Sequence, residues 1–173
     1  MIALERVDLC PFTWEQAQQY LGWVNQQQLA QRLIRVRPVS PGEHQRWYES
    51  LVSRSDAVVF SVVHREWQQY LGNCWLWGIH PVHRSAELRI LLGHERAGGQ
   101  GLGSEACRGL VHFAFEQLNL EKVFLYVLAD NPAAVRCFEK AGFRTEARLE
   151  REYFVAGAYR DGLRMARWRD QSP

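Results

Sequence analysis

The sequence predicts a mixed α/β (α+β) domain built on a mostly antiparallel central sheet of about seven strands. Strand-like runs at 57–64, 69–79 and 85–92 follow one another through short turns, which reads most simply as an antiparallel meander. Residues 85–141 then alternate strand, helix, strand, helix, an order that requires a parallel crossover. From 143 to 169 two long strands meet around Ala156-Gly157-Ala158.

Each element carries its own signal. Residues 2–8 read as a first strand. A helix over 13–21 has Thr13 as cap and Trp14, Ala17 and Leu21 along one side. Ser40-Pro41-Gly42-Glu43 spells a capping box with proline at the first helical position and starts a helix over 41–53. The meander turns first near Arg65-Glu66-Trp67. A glycine loop, Gly98 to Gly103, leads into a helix over 104–118. Val123-Phe124-Leu125-Tyr126-Val127-Leu128 is a continuous apolar run, as in a strand buried on both faces. A short helix over 132–141 is opened by Asn131 and closed by Gly142. No linker or internal repeat divides the chain, so residues 1–173 read as a single domain.

Composition narrows the function. A net charge of +2 is too mild for a nucleic-acid binder, which concentrates basic residues on one face. No apolar run approaches the ~20 residues of a membrane span, and a cytoplasmic protein without membrane contact is expected. Cys10, Cys74, Cys107 and Cys137 lie far apart without a C-x-x-C pair, as befits reduced thiols. His80-Pro81-Val82-His83 has no evident third ligand, so it reads as a loop and no metal is expected.

The chemistry concentrates at Gly98-Gly99-Gln100-Gly101-Leu102-Gly103-Ser104. Its glycines let backbone N–H groups converge and a ligand approach, and the following helix contributes the positive end of its dipole, so the loop is shaped to hold phosphate. Gly101 to Ala106 also spells the G-x-G-x-x-A dinucleotide fingerprint. That reading fails on context: the fingerprint follows its strand almost at once, whereas a connector over 93–101 intervenes here. The next acidic residue, Asp130, lies 27 positions beyond Gly103 rather than about 20.

A second segment, Asn131-Pro132-Ala133-Ala134-Val135-Arg136-Cys137-Phe138-Glu139-Lys140-Ala141-Gly142-Phe143, changes the balance. With the loop it resembles the GNAT superfamily of acetyl-CoA-dependent N-acetyltransferases, whose motifs are [R/Q]-x-x-G-x-[G/A] and, about 30 residues later, N-x-x-A-x-x-x-Y-x-K-x-G-F. The resemblance implies helices on both faces of the sheet and acetyl-CoA as acyl donor. It implies that the backbone of Gly98, Gly99, Gln100, Gly101, Leu102, Gly103 and Ser104 cradles the pyrophosphate. Leu91 and Leu92 would pair with the pantetheine amides, and Asn131 and Phe138 would contact the cofactor. Glu87 stands where many members place a base that strips the amine of its proton; an ion pair with Arg89 is the alternative use of its carboxylate.

Two departures stand out. The arginine or glutamine at the head of the loop is Gly98 here, with Arg96 or Gln100 near enough to substitute. The family's tyrosine, proposed to protonate the departing thiolate, is Phe138, leaving Tyr126, Tyr153, Tyr159 or water as substitutes. Trp75 and Trp77 share one strand face and fit either core packing or the floor of a pocket for a sugar or base. His83, Glu15, Trp23 and Asn25 are further acceptor candidates.

Trp23-Val24-Asn25, Glu43-His44-Gln45-Arg46-Trp47, Ser85-Ala86-Glu87 and Gly157-Ala158-Tyr159-Arg160-Asp161 look like the branch holding ribosomal-protein N-terminal, spermidine and nucleotide-amino-sugar acetyltransferases. A small-molecule amine acceptor, closest to a nucleotide-linked amino sugar, is the expectation. A polyamine or a protein N-terminus is the alternative acceptor, and a non-catalytic acyl-CoA-binding module the alternative class. Edge strands in the C-terminal hairpin fit a homodimer.

Overall fold

In a computed structural model, which describes residues 1–34 and 37–170, the chain runs β1 (Ile2–Ala3), β2 (Val7–Pro11), α1 (Trp14–Val24), α2 (Gln27–Arg32) and α3 (Pro41–Ser53). It continues β3 (Ala57–His64), β4 (Gln69–His80), β5 (Ser85–Leu92), α4 (Leu102–Glu116), β6 (Lys122–Leu128), α5 (Pro132–Lys140), β7 (Arg144–Val155) and β8 (Ala158–Trp168). The strands form one sheet in the order β1-β2-β3-β4-β5-β6-β8-β7. β5 and β6 are parallel, joined by the α4 crossover, and the other neighbouring pairs are antiparallel.

Alternation along the strands feeds two cores. Leu71, Leu76, Leu88, Val123, Leu125 and Met165 point to one face, where Leu102, Leu110 and Val111 of α4 cover them. Tyr70, Trp75 and Leu91 point to the other, against Tyr20, Trp23 and Val24 of α1 and Leu51 of α3. The helices therefore cover both faces. Each fully buried leucine or valine adds roughly 1.5–3 kcal/mol relative to exposure, so loss of either layer would leave the sheet unsupported.

Most predicted elements are present, and the departures have local causes. The first strand is split: Leu4 N–H donates to Val7 O at 3.0 Å, closing a turn. The Glu105 carboxylate takes the N–H groups of Arg6 and Val7 at 2.7 and 3.2 Å, so β2 begins at Val7 and the sheet has eight strands among the described residues. α1 runs to Val24 because Tyr20, Trp23 and Val24 are all buried. Its Thr13 cap is a full capping box with Gln16.

α3 spans the predicted residues, yet only half its box forms. Ser40 Oγ accepts from Glu43 N–H at 3.3 Å, while the Glu43 carboxylate goes to Arg37 at 3.0 Å. α2 and a 3-10 turn at Glu95–Ala97 were not foreseen; the Gln26 cap of α2 makes no side-chain bond. The final hairpin turns on two residues, Ala156 (φ +50°) and Gly157 (φ +81°).

Candidate active site

The site begins where a ladder ends. β5 and β6 pair from Ser85↔Lys122 to Glu87↔Phe124 and no further. β5 remains held on its outer side by β4 as far as Leu92, and β6 by β8 as far as Leu128. Beyond Glu87 the facing backbone groups of the two strands thus have no ladder partners in each other. A cavity of about 1150 Å³, lined by residues 88–92 of β5 and 126–128 of β6, occupies this opening. It exceeds the ~300–1,000 Å³ of ordinary small-molecule sites and suits an extended ligand together with a second substrate.

At one end lies the glycine loop. Gly99, Gly101, Gly103 and Ser104 line the cavity; Gly99 (φ +74°) and Gly101 (φ +77°) hold left-handed conformations that glycine adopts without strain. Gly101 is the N-cap of the fifteen-residue α4, so unpaired N–H groups and the helix dipole face the opening. Gly103 packs closely on α5: a Cβ there would stand 3.1 Å from Cys137 Sγ. The loop is anchored from behind by Arg6, which donates to Gln100 O at 2.8 Å and to the Glu105 carboxylate at 2.9 Å.

α5 forms the opposite wall. Asn131 caps it, its side-chain oxygen accepting from Ala134 N–H at 3.2 Å, and also lines the cavity. Arg136 and Lys140 line it as well, bringing cationic side chains to the cavity that the loop opens into. Ser104 Oγ donates to Cys137 O at 2.9 Å and lies 3.4 Å from Cys137 Sγ. Hydrogen bonding from Cys107 outweighs burial and, with Ser104, Lys140 and Arg108, brings the Cys137 thiol down to about 6. Phe138 is buried and meets Phe143 edge-on at 6.2 Å.

The other end is aromatic. Tyr20, His44, Trp47, Trp75 and Trp77 line it, with Leu29 and Leu33 of the α2 region. Tyr20 stacks on Trp47 at 5.6 Å. His44 Nε2 bonds Ala17 O at 2.6 Å and fixes α3 to α1. Trp75 and Trp77 do share a face, opposite Arg89 and Glu87 in register. The guanidinium of Arg54 lies 4.2 Å and that of Arg89 5.1 Å from the Trp77 ring centre. Glu87, the carboxylate lining the cavity, is gripped by Arg89 through two bonds of 2.8 and 2.9 Å.

Several sequence-predicted residues fall elsewhere. His83 sits in the exposed β4–β5 turn, stacked on His80 at 4.1 Å, and does not line the cavity. Leu102 is fully buried in the core under α4; Gly98 and Gln100 also lie off the cavity wall. Gln100 gives its amide to Arg96 O at 2.7 Å, and Arg96 covers Trp67 at 3.8 Å, so neither points into the cradle. Asn25 is spent on Val39 N–H and C=O, Trp23 stacks on Tyr70 at 5.2 Å, and Glu15 occupies the first turn of α1. Arg136 and Lys140, which also line the cavity, were missed; their one signal was their basic character within the Asn131–Phe143 motif. Among the described residues no group of three or more His, Cys, Asp or Glu side chains is arranged to hold a metal, and no helix is long and apolar enough to cross a membrane.

Comparison with known proteins agrees with this architecture. Residues 6–144 match the acetyltransferase (GNAT) domain model. Spermidine N(1)-acetyltransferases of Vibrio cholerae and Escherichia coli are 36% and 37% identical over 104 and 93 residues, covering 60% and 54% of this chain. The chain spans 60% and 50% of the length of these two relatives. A crystal structure of spermidine N-acetyltransferase from Vibrio cholerae in complex with CoA and spermine superposes with a TM-score of 0.86 at 25% identity, covering 94% of this chain and 95% of that one. The chain belongs to the GNAT acetyltransferase family.

Proposed function

We propose that this chain transfers an acetyl group from acetyl-CoA to the primary amine of a small molecule. One observation carries the reading: the glycine cradle and Glu87 open into the same cavity, along strands that part where a thioester arm can lie between them. The residues fit coenzyme A. Gly99, Gly101, Gly103 and Ser104 offer N–H groups to a pyrophosphate, Arg136 and Lys140 offer charge, and the β5 backbone at Leu91 and Leu92 offers strand-like pairing to amides. Acetyl-CoA supplies the activated acyl group. The chain's part is to orient the amine, take its proton and exclude water. Glu87 receives that proton through water, because Arg89 holds both carboxylate oxygens.

For the acceptor, we propose an amine on a compact body with a flat face, of the amino-sugar class. The aromatic wall of Trp47, Trp75 and Trp77 supports this, since it gives a broad apolar surface against which a compact body packs. A polyamine is the second reading, supported by the spermidine acetyltransferases among the relatives. Against it, among the described residues Glu87 alone supplies a carboxylate to the cavity lining, and the other charged groups there, Arg89, Arg136 and Lys140, are cationic. A desolvated polycation facing a single carboxylate that Arg89 already holds is poorly compensated. Initial rates with a UDP-linked amino sugar, glucosamine, spermidine and an N-terminal peptide separate the readings: sugar turnover supports the first, a spermidine preference the second.

We also propose self-association through the outer edge of β7, where Phe154 and Tyr159 are each 57% exposed at the hairpin. A Vibrio cholerae spermidine N-acetyltransferase of similar fold (TM-score 0.79, 25% identity) has a dodecameric structure. Light scattering of the chain and of Phe154→Ser tests it: a smaller assembly in the variant supports the interface, and a monomeric parent contradicts it.

A further inference from the structure

We propose that Tyr153 delivers the proton to the sulfur of the departing coenzyme A, in place of a hydroxyl at position 138. The inference rests on the acetyl-transfer reading above. Phe138 carries no exchangeable proton, and its ring is packed against Phe143 on the helix side of the opening. Tyr153 enters the same cavity from β7, on the sheet face that carries Glu87, Trp75 and Trp77.

Four features of the C-terminal hairpin put it there. The β7/β8 register shifts between Leu149↔Gly162 and Tyr153↔Arg160, a bulge of the kind that re-aims side chains beside active sites. Within it Arg151 sits at φ +50°, a left-handed conformation costly for a residue with a Cβ. Asp161 pins the bulge, accepting the Arg151 N–H at 2.9 Å and the Arg148 guanidinium at 2.9 and 2.7 Å. Gly162 leaves room for the ring: a Cβ there would stand 2.7 Å from Tyr153 Cε2. Gly162 pairs with Leu128, the last residue of β6, so the phenol is delivered to the end of the strand that parts from β5.

Burial, with Glu152, Tyr126 and Glu87 nearby, raises the phenol above its ordinary 10, so it holds its proton through the neutral range. Tyr126 also lines the cavity, but it is 41% exposed and its ring rests against Phe124 and Arg164, both at 5.9 Å. Tyr159 lies at the hairpin outside the cavity. In the proposed step the amine nitrogen bonds to the acyl carbon and the carbon–sulfur bond breaks. The electron pair stays on sulfur, which takes the phenol proton. The proton lost by the amine passes through water to Glu87 and from there through water to the phenolate, so both the carboxylate and the tyrosine end as they began.

The test compares the parent chain with Tyr153→Phe, which keeps the ring on Gly162. With coenzyme A bound as the free thiol, thiolate absorbance is followed against pH. A phenol donating to sulfur favours the thiolate, so the bound thiol of Tyr153→Phe should ionise about tenfold less readily. With acetyl-CoA and whichever amine of the panel turns over fastest, kcat should fall about 10²-fold at unchanged KM for acetyl-CoA. Phe138→Tyr placed in the Tyr153→Phe chain should recover at least about tenfold of that loss, while Tyr159→Phe stays at the parent rate. Identical thiol titrations, or a Tyr153→Phe rate within about twofold of the parent, overturn the proposal. Absence of coenzyme A binding in the parent overturns the cofactor reading, and this one with it.

Discussion

Glu87 and Arg89, two residues apart on one face of β5, are locked together by two hydrogen bonds of 2.8 and 2.9 Å. The fork orients the carboxylate beside Trp77, its cross-strand neighbour. Glu87→Gln keeps the shape and removes the charge. It should lower kcat by about 10²–10³-fold while KM for acetyl-CoA changes by less than about threefold, as read by initial rates across pH. A rise in KM with kcat intact would assign Glu87 to binding alone.

The aromatic end should govern the acceptor. Trp77→Ala removes a ring lying beneath two guanidinium groups and opens the acceptor wall. KM for the amine should rise about tenfold, the scale of a lost aromatic contact. KM for acetyl-CoA should hold. Trp75 is 8% exposed and packed among Tyr70 and Leu91, so Trp75→Ala should also cost stability, about 3–5 kcal/mol by urea unfolding.

Local pattern made much of this molecule legible. Ser40-Pro41 marks the start of α3, the β5-α4-β6 order marks the parallel pair, and the loop and the Asn131–Phe143 segment both contribute residues to one cavity. What escaped depends on contacts distant in sequence. The first strand breaks because Glu105, 98 positions away, captures its backbone at Val7. Glu43 abandons its cap for Arg37. His83 looked available because turn residues carry no pattern that reports where the turn points. The β7 bulge depends on Asp161, whose carboxylate gives no hint in sequence that Arg148 and Arg151 will claim it.

The cationic wall of α5 should bind the diphosphate. Arg136→Ala and Lys140→Ala should each weaken coenzyme A binding about three- to tenfold at low salt, with a smaller difference at high salt, because exposed charges are screened. Isothermal titration at two ionic strengths reads the effect.

Cys137 should react as a thiolate well below neutrality. With its thiol near 6, alkylation by iodoacetamide should reach half its plateau rate near pH 6 and fall at lower pH as the sulfur gains its proton. Bound coenzyme A should slow the reaction, since Cys137 lines the cavity. Peptide mass spectrometry with a pH series measures both, with buried Cys74, pushed well up by desolvation, as the unreactive internal reference.

Glu105 supplies the acid-dependent part of stability. Burial pushes its carboxyl up, but the N–H groups of Arg6 and Val7 and the Arg6 guanidinium together bring it below its ordinary 4.5. A carboxyl depressed by folding contributes stability above its unfolded value that is lost as pH falls through the folded value. Glu105→Gln should therefore be less stable than the parent by about 2 kcal/mol at neutral pH. The gap should narrow as pH falls below 4.5 and close as it passes through the lower folded value. Thermal melts across pH 3–8 would show the two curves converging on the acid side.

The most direct measurement of the central claim is acetyl-CoA-dependent thiol release with the amine panel, read beside mass spectrometry of the amine. Release that requires both substrates and matches N-acetylated product one for one is the predicted result. A chain that binds acetyl-CoA yet acetylates no amino sugar, polyamine or peptide amine would contradict it.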